Sequence, residues 1–428
     1  MSKKKTPTAW LETVRRMATM DDANIAAADI VPIAAFLAAK DQPPATKVDG
    51  SDQSPDSEET DEPEAESSLL DSLSDAGATG SGLSTSAAFS TLWRGGDDSL
   101  ENPNFFADVW LSADWQPDGP LRAKATACTS CHSDRSGGSG FTLEMVEAYA
   151  AVDLLSLAGH CPKPQNKCDP SLDLELKAGR FIVPFGAFSG VIHPGAYRTV
   201  TVPLMYNMGR QVYPTNSRPP VLPMPYSDEG VDIRTKFEID DFKATLDVYG
   251  VNGLQGFGPG VQFTPSRSYA DNNTDVSFGT RATVGNDIVR CGGSVMSGRM
   301  QNEGSPNLNY HLSGFDASFN TCDNMVRGSF EYAIRRNDSI FGPRQISYGT
   351  TTDLDVLLWE NPNIRVHTRY DTLEHRDFAG EEGIRRFTWG FSTTILAGST
   401  LIIDHEHWRF SERGPNTNIL GLRWLAVF

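Results

Sequence analysis

From residue 172 to the C-terminus, apolar residues recur at every second position, and this period constrains the fold more than any other feature of the chain. In "DFKATLDVYGVNG", Phe242, Ala244, Leu246 and Val248 share one face while Lys243, Thr245, Asp247 and Tyr249 share the other. "VRGSFEYAIRR" sets Val326, Gly328, Phe330, Tyr332 and Ile334 against Arg327, Ser329, Glu331 and Arg335. "IRVHTRY" sets Ile364, Val366, Thr368 and Tyr370 against Arg365, His367 and Arg369, and "RFTWGFSTTI" sets Phe387, Trp389, Phe391 and Ile395 against Thr388, Gly390 and Ser392. Successive side chains of a strand leave it on opposite sides, so each stretch is a strand with one apolar face. Segments of roughly ten residues follow one another with turn sequences such as "NDS", "ENPN" and "RGPNTN" between them.

Two architectures use such strands. A soluble sandwich turns the apolar face inward, whereas a membrane barrel turns it to lipid and points the polar face into a wet lumen. Here the polar faces mix Arg, Glu, Asp and Thr, aromatic residues gather near strand ends, and the last strand, "LGLRWLAVF", alternates Leu420, Leu422, Trp424, Ala426 and Phe428. The expectation is a mainly β fold: an antiparallel barrel of roughly twelve to fourteen strands over 172–428. No apolar run is long enough to cross a bilayer as a helix, which excludes a helical membrane protein.

The formal net charge of -18 says less about partners than it suggests, because Asp41 to Asp71 holds eleven acidic residues against Lys47. The rest is mildly acidic, without the long basic face that would neutralise phosphates, so nucleic acid is excluded as a partner. Residues 41–88 are Pro, Ser, Asp, Glu and Gly almost throughout, the composition of a disordered acidic linker. Before it, 1–40 reads as two helices, the first with Trp10, Val14 and Met17 on one face. "MSKKKTPTAWLETVRRM" has no apolar core and no cleavage site, so export implies a signal upstream of residue 1.

Chemistry concentrates at "ACTSCHSDRSGG". Two cysteines separated by two residues and followed by histidine form the attachment pattern of a c-type haem, with Cys128 and Cys131 as thioether anchors and His132 as the proximal iron ligand. Zinc requires four ligands, and no second pair with ligand spacing follows; a thioredoxin-like pair requires a βαβ context that is missing. Spacing leaves the distal ligand open among Met145, His160, His193, Met205 and Met208. "TLEMVEAYAAVDLLSLAG" (142–159) carries Leu143, Val146, Ala150, Leu154 and Leu157 at helical spacing, so 89–171 is expected to be a small haem-binding domain with at least one helix. Cys161 and Cys168 bracket a short loop and are read either as a disulfide or as two free thiols.

Several stretches resemble known families. "WLETVRRM…ADIVPIAAFLA" resembles the closing part of a class I cytochrome c domain, which implies Met17 or Met20 as an axial ligand, although the attachment motif that should precede it is absent. "KAGRFIVPFGAF" (177–188) resembles an early strand of porin-like proteins, with Pro184 belonging at a bulge or strand end, and a closing Phe428 resembles the insertion signal of bacterial outer-membrane barrels. Together, Cys128–His132 and the barrel-like segment resemble the fused cytochrome–porin proteins of bacterial outer membranes, over about three quarters of the chain. That resemblance implies one covalent haem c with its iron, a place in outer-membrane lipid, and electron transfer between a periplasmic carrier and an extracellular donor or acceptor. A second expectation is a passive porin whose Arg327, Arg335, Arg365, Arg369 and Arg385 line a pore for anions. A third is a haem peroxidase, ranked last because no acid/base pair lies near the motif; an electron carrier is expected rather than a substrate-transforming enzyme.

Overall fold

The computed structural model describes residues 82–428 apart from 97–103, 130–142, 160–169, 192–195, 207–219, 225, 258–259, 264–265, 267–270, 302–306, 322, 341, 361, 378–379, 397 and 412–415. The strands are β1 (Leu83–Gly96), β2 (Asn104–Trp115), β3 (Leu121–Thr129), β4 (Leu143–Asp153), β5 (Ser171–Ile182), β6 (Ser227–Ile239), β7 (Phe242–Val251), β8 (Gly256–Phe257), β9 (Gly260–Val261), β10 (Ser277–Gly285), β11 (Val289–Gln301), β12 (Leu308–Asn320), β13 (Val326–Asn337), β14 (Gln345–Trp359), β15 (Ile364–Asp377), β16 (Gly380–Leu396), β17 (Ser399–Phe410) and β18 (Thr417–Val427). All except β8 and β9, which pair only with each other, form one closed antiparallel barrel of sixteen strands in sequence order. Closure comes from β1 against β18, in a register from Ala88 opposite Val427 to Gly96 opposite Ile419. The Phe428 N–H donates to the Ala87 carbonyl at 2.8 Å and the Ala87 N–H to the Phe428 carbonyl at 3.1 Å. A closed ladder leaves no unpaired edge, which is what a bilayer demands of strands.

The direction of the alternation separates this barrel from a sandwich. In β7, Leu246 and Val248 are 45% and 50% exposed, while Asp247 and Tyr249 between and after them are 3% and 2%. In β16, Phe387, Trp389 and Phe391 face out while Arg386 and Thr388 are buried. Apolar side chains therefore form the outer surface and charged ones the interior, the inverse of a soluble protein. Trp115, Phe242 and Trp359 stand at strand ends as a girdle would, but Phe387 and Trp389 lie well inside β16, so the aromatic belt is partial.

Three expectations change. The strand number is sixteen rather than twelve to fourteen, because the wall begins at Leu83, ahead of both the linker boundary at 88 and the barrel boundary at 172. Strands β1 to β4 are rich in Ala, Ser and Thr, which give little polar contrast from one position to the next. Residues 142–159 are not an amphipathic helix: β4 fills most of the stretch, and a single helical turn, α1 (Leu154–Leu157), follows, capped by the Asp153 carboxylate accepting from the Leu155 and Ser156 N–H groups. A bulge against β3 explains the misleading spacing. Thr126 pairs with Glu147 but Ala127 with Met145, so Val146 and Glu147 are both buried and the parity shifts by one residue. Residues 1–81, with Met17, Met20 and most of the acidic linker, lie outside the described residues.

Strand order makes one end of the barrel a turn end and the other a loop end. At the turn end most connections are short, as at 240–241 and 286–288, the exception being 154–170 between β4 and β5; at the loop end, 183–226 joins β5 to β6 and 252–276 joins β7 to β10. Both long connections contribute to a buried apolar cluster with the inner wall. Phe185, Leu204, Met205, Leu222, Leu254 and Phe263 meet Met300, Leu308, Leu312, Ile384, Trp408 and Ile419, wall residues near the loop end of their strands. Burial of each large aliphatic side chain contributes roughly 1.5–3 kcal/mol, so the two connections are held inside the barrel. Pro184 lies just past the end of β5, as expected.

Candidate functional site: the lumen

What remains open inside the barrel is set by where 183–206 runs. At its start, the Gly186 N–H donates to Ser294 Oγ at 3.1 Å and the Phe188 N–H to Glu331 Oε2 at 3.2 Å, and the Tyr206 hydroxyl donates to the other Glu331 oxygen. Gly186 is required here: its φ is +70°, and a Cβ would stand 2.0 Å from Glu331 Oε1. Burial and the adjoining Glu331 carboxylate hold the Tyr206 phenol well above its usual range, so it stays a donor at any physiological pH.

Further along, residues 199–202 lie on a set of arginines projecting from β15, β16 and β18. Arg369 donates to the Thr201 carbonyl (2.8 Å) and Thr201 Oγ1 (3.0 Å), Arg386 to the Val202 carbonyl (2.7 Å), and Arg423 to the Val200 carbonyl (2.9 Å). Carboxylates complete the set: Asp371 accepts from Arg369 at 3.0 Å and from Arg386 at 2.7 Å, and Asp404 accepts from the Val200 N–H at 2.6 Å. Guanidinium forks satisfy carbonyls and carboxylates together; these charges are at most 4% exposed, with Arg369 and Arg386 ion-paired and Arg423 held by the Val200 carbonyl and the Ser90 hydroxyl. This wall is therefore structural: it fixes the inward segment.

Across the lumen, a cavity of about 770 Å³ is lined by nine Lys/Arg against five Asp/Glu. Its cations come from β3, β5, β6, β7's neighbour β10, β11, β15 and the inward segment. Seven of the nine have a carboxylate partner, including Glu175, Asp232 and Asp371 from outside the lining, and several stay partly exposed. Lys124 meets Glu147 at 2.8 Å while 31% exposed, Arg198 meets Asp353 at 3.0 Å while 39% exposed, and Lys236 and Arg290 are exposed with no ion pair among the described residues. Several of these positions, including Arg122, Lys236 and Arg290, stand near the turn end of their strands, opposite the apolar cluster. The cavity's surplus positive charge thus rests on Lys236 and Arg290, the two lining cations with no ion pair among the described residues.

The five arginines expected to line a pore divide. Arg335 is fully buried, donates to the Val221 carbonyl at 3.1 Å and Ser347 Oγ at 3.2 Å, and lies 5.0 Å from the Phe263 ring. Arg369 belongs chiefly to the structural wall, although it also borders the cavity. Arg327 and Arg365 face inward and share Asp355, Arg327 at 2.9 Å. Arg385 is exposed on the outer face; Arg386 is the inward neighbour, as the parity of Phe387 and Thr388 already required. Arg122, Lys124, Lys177, Arg234, Arg281 and Arg290 were missed. Extending the same parity through β3 to β11 would have found most of them.

The expected haem site is only partly visible. Cys128 lies in β3, fully buried beside Ala88, Trp110 and Val146, and its sulfur is in a disulfide whose partner is outside the described residues. A disulfide sulfur has no valence left for a thioether. Of the distal candidates, Met145 is 37% exposed on the outer face, turned away from Cys128, and Met205 is buried in the inward segment against β14 at Gly349. Cys131, His132, His160, His193 and Met208, and the Cys161–Cys168 pair, lie outside the described residues. Among the described residues, no group of three or more His, Cys, Asp or Glu is arranged to hold a metal ion. The free cysteine Cys291 is in β11.

No protein-family model matches the sequence, and neither does any curated protein. Solved structures do share the fold. An anion-selective porin from Comamonas acidovorans superposes with a TM-score of 0.53 at 10% identity, covering 81% of this chain and 99% of that one. Salmonella typhi OmpF, in complex with daunomycin, gives 0.54 at 8% identity over 82% and 98% of the two chains. The outer membrane channel DcaP of Acinetobacter baumannii gives 0.51 at 9% over 81% and 97%. The chain is thus a closed sixteen-stranded barrel with the fold of outer-membrane porins, and its apolar outer face places it in the lipid of the bacterial outer membrane.

Proposed function

We propose that the chain is a porin-like channel whose lumen favours small anions. The two lining cations with no ion pair among the described residues, Lys236 and Arg290, beside part-exposed Lys124 and Arg198 in the 770 Å³ cavity, carry this reading. Charges on low-dielectric walls raise the local concentration of counter-ions, and a Debye length of about 10 Å at 0.1 M salt lets them act across a narrow lumen. The test is the purified full chain in a planar bilayer under a KCl gradient. The expected reversal potential has the sign of chloride permeation and shrinks as salt rises; a cation-signed or zero potential at low salt removes the reading.

The Cys128–His132 motif supports a second reading, a covalent haem serving electron transfer between a periplasmic carrier and an extracellular donor or acceptor. Cys131 and His132 would supply one thioether and the proximal ligand, and Cys128 must first leave its disulfide. Haem staining of the full chain, made with cytochrome c maturation machinery, tests it: a band lost on Cys131→Ala supports the haem, and an unstained, membrane-inserted product rules it out.

A further inference from the structure

Beside the main cavity, at the turn end, is a smaller recess of about 280 Å³. Three arginines from three separate elements line it: Arg198 on the inward segment, Arg290 at the start of β11, and Arg327 at the start of β13. The floor and rim come from the β10–β11 turn and the end of β12, and these are pre-set. Asn286 Oδ1 accepts from the Ile288 and Val289 N–H groups at 2.9 and 2.8 Å, closing the turn. The Asn320 amide donates to Asn324, joining the rim to the β12–β13 turn. Ser318 adds a hydroxyl.

Charge in the recess is not balanced. Asp353 takes Arg198, and Asp355 takes both Arg327 and Arg365, so two carboxylates face three guanidinium groups there. Arg290 adds a fourth with no ion pair among the described residues, and Asp287, the carboxylate that itself lines the recess, accepts from Lys243 at 2.5 Å. Arginine presents a planar fork that matches tetrahedral oxyanions, and several forks converging on a recess suit a doubly charged one better than a halide. The volume corresponds to roughly nine waters at about 30 Å³ each, enough for such an anion with part of its hydration shell.

We infer that this recess is a saturable binding site for dianionic oxyanions, either free phosphate or the terminal phosphate of a phosphomonoester. Arg198, Arg290 and Ser318 line both the recess and the main cavity, so an anion released from the recess enters the lumen directly. The site makes the channel polar in its behaviour: oxyanions are captured from the turn end, the periplasmic end of barrels of this type, before they enter the main cavity. The inference rests on the anion-channel reading and sharpens it to a solute class.

The experiment measures chloride current through the full chain in a planar bilayer, with inorganic phosphate or glycerol phosphate added to one compartment at a time. Phosphate should reduce the current saturably, with a half-blocking concentration at least tenfold lower from one compartment than from the other. Arg290→Gln should raise the lower value about tenfold, the loss of one charge-assisted contact. Lys236→Gln, which lies in the main cavity but outside the recess, should lower chloride selectivity without moving the half-block. Block by glycerol phosphate at the same concentration identifies the phosphomonoester as a ligand, and block by inorganic phosphate alone assigns the site to the free ion. Equal block from both sides, or an Arg290→Gln value equal to that of the unaltered chain, overturns the site even where the channel proves anion-selective. A channel without anion selectivity removes the broader reading instead, and phosphate titration calorimetry on the detergent-solubilised protein, repeated with Arg290→Gln, then decides the site by itself.

Discussion

The wall formed by β15 to β18 and the wall formed by β3 to β11 carry the same kind of side chain to different ends. On the first, Arg386 is fully buried, holds Asp371 and the Val202 carbonyl, and lies 5.0 Å from the Trp408 ring. On the second, Lys124 is about a third exposed and Lys236 more so, with a cavity in front of them. Both sets point inward by strand parity. What separates them is cover: residues 199–202 lie on one wall and leave the other open. An inward arginine is therefore a fastener or an ion contact according to what folds over it.

The largest expected effect breaks the fastened wall. Arg386→Ala leaves Asp371 and Glu406 short of a buried partner, and removal of one member of such a set costs about 3–5 kcal/mol. A lowered urea midpoint of the folded barrel, together with raised single-channel conductance as 199–202 loosens, is the expected outcome. An unchanged midpoint would show that the pairing carries little of the stability. Next comes the open wall, where Arg234→Gln with Lys236→Gln should reduce chloride-over-potassium permeability several-fold. Arg234 is part exposed but its partner Asp247 is buried, so a cost of about 1–3 kcal/mol is expected, below that of Arg386→Ala. The comparison sharpens if the two variants separate cleanly, one losing stability and the other selectivity. The smallest effect belongs to Arg385→Gln: on the outer face it should leave the reversal potential where it was, and a selectivity loss matching that of the cavity variants would contradict its placement.

Much of this was legible beforehand. The strong alternation of β7, β13, β15 and β16 gave both the strand type and the inward side of each residue, and the apolar outward face with an Arg, Asp and Glu interior already favoured a barrel. Strands β1 to β4 were harder, because Ala and Ser change little in polarity from face to face and the bulge at Val146 mimics a helical repeat. Arg385 is misplaced by one position, although Phe387 and Thr388, two and three residues further on, are assigned to the correct faces. The motif at Cys128 points to a cofactor; Cys128 itself is a buried residue of β3 whose sulfur is in a disulfide, and Cys131 and His132 lie outside the described residues.

By itself the sequence determined which way each strand residue faces, because the two-residue period of an extended chain is a local property. Only the tertiary structure decided where the connections at 183–226 and 252–276 go, and so which inward charges meet water. Thr201 reaches Glu406, 205 residues away, and Val200 reaches Arg423 across 223. Such contacts form only after the barrel has closed and brought distant strands around one lumen, and no local period records them.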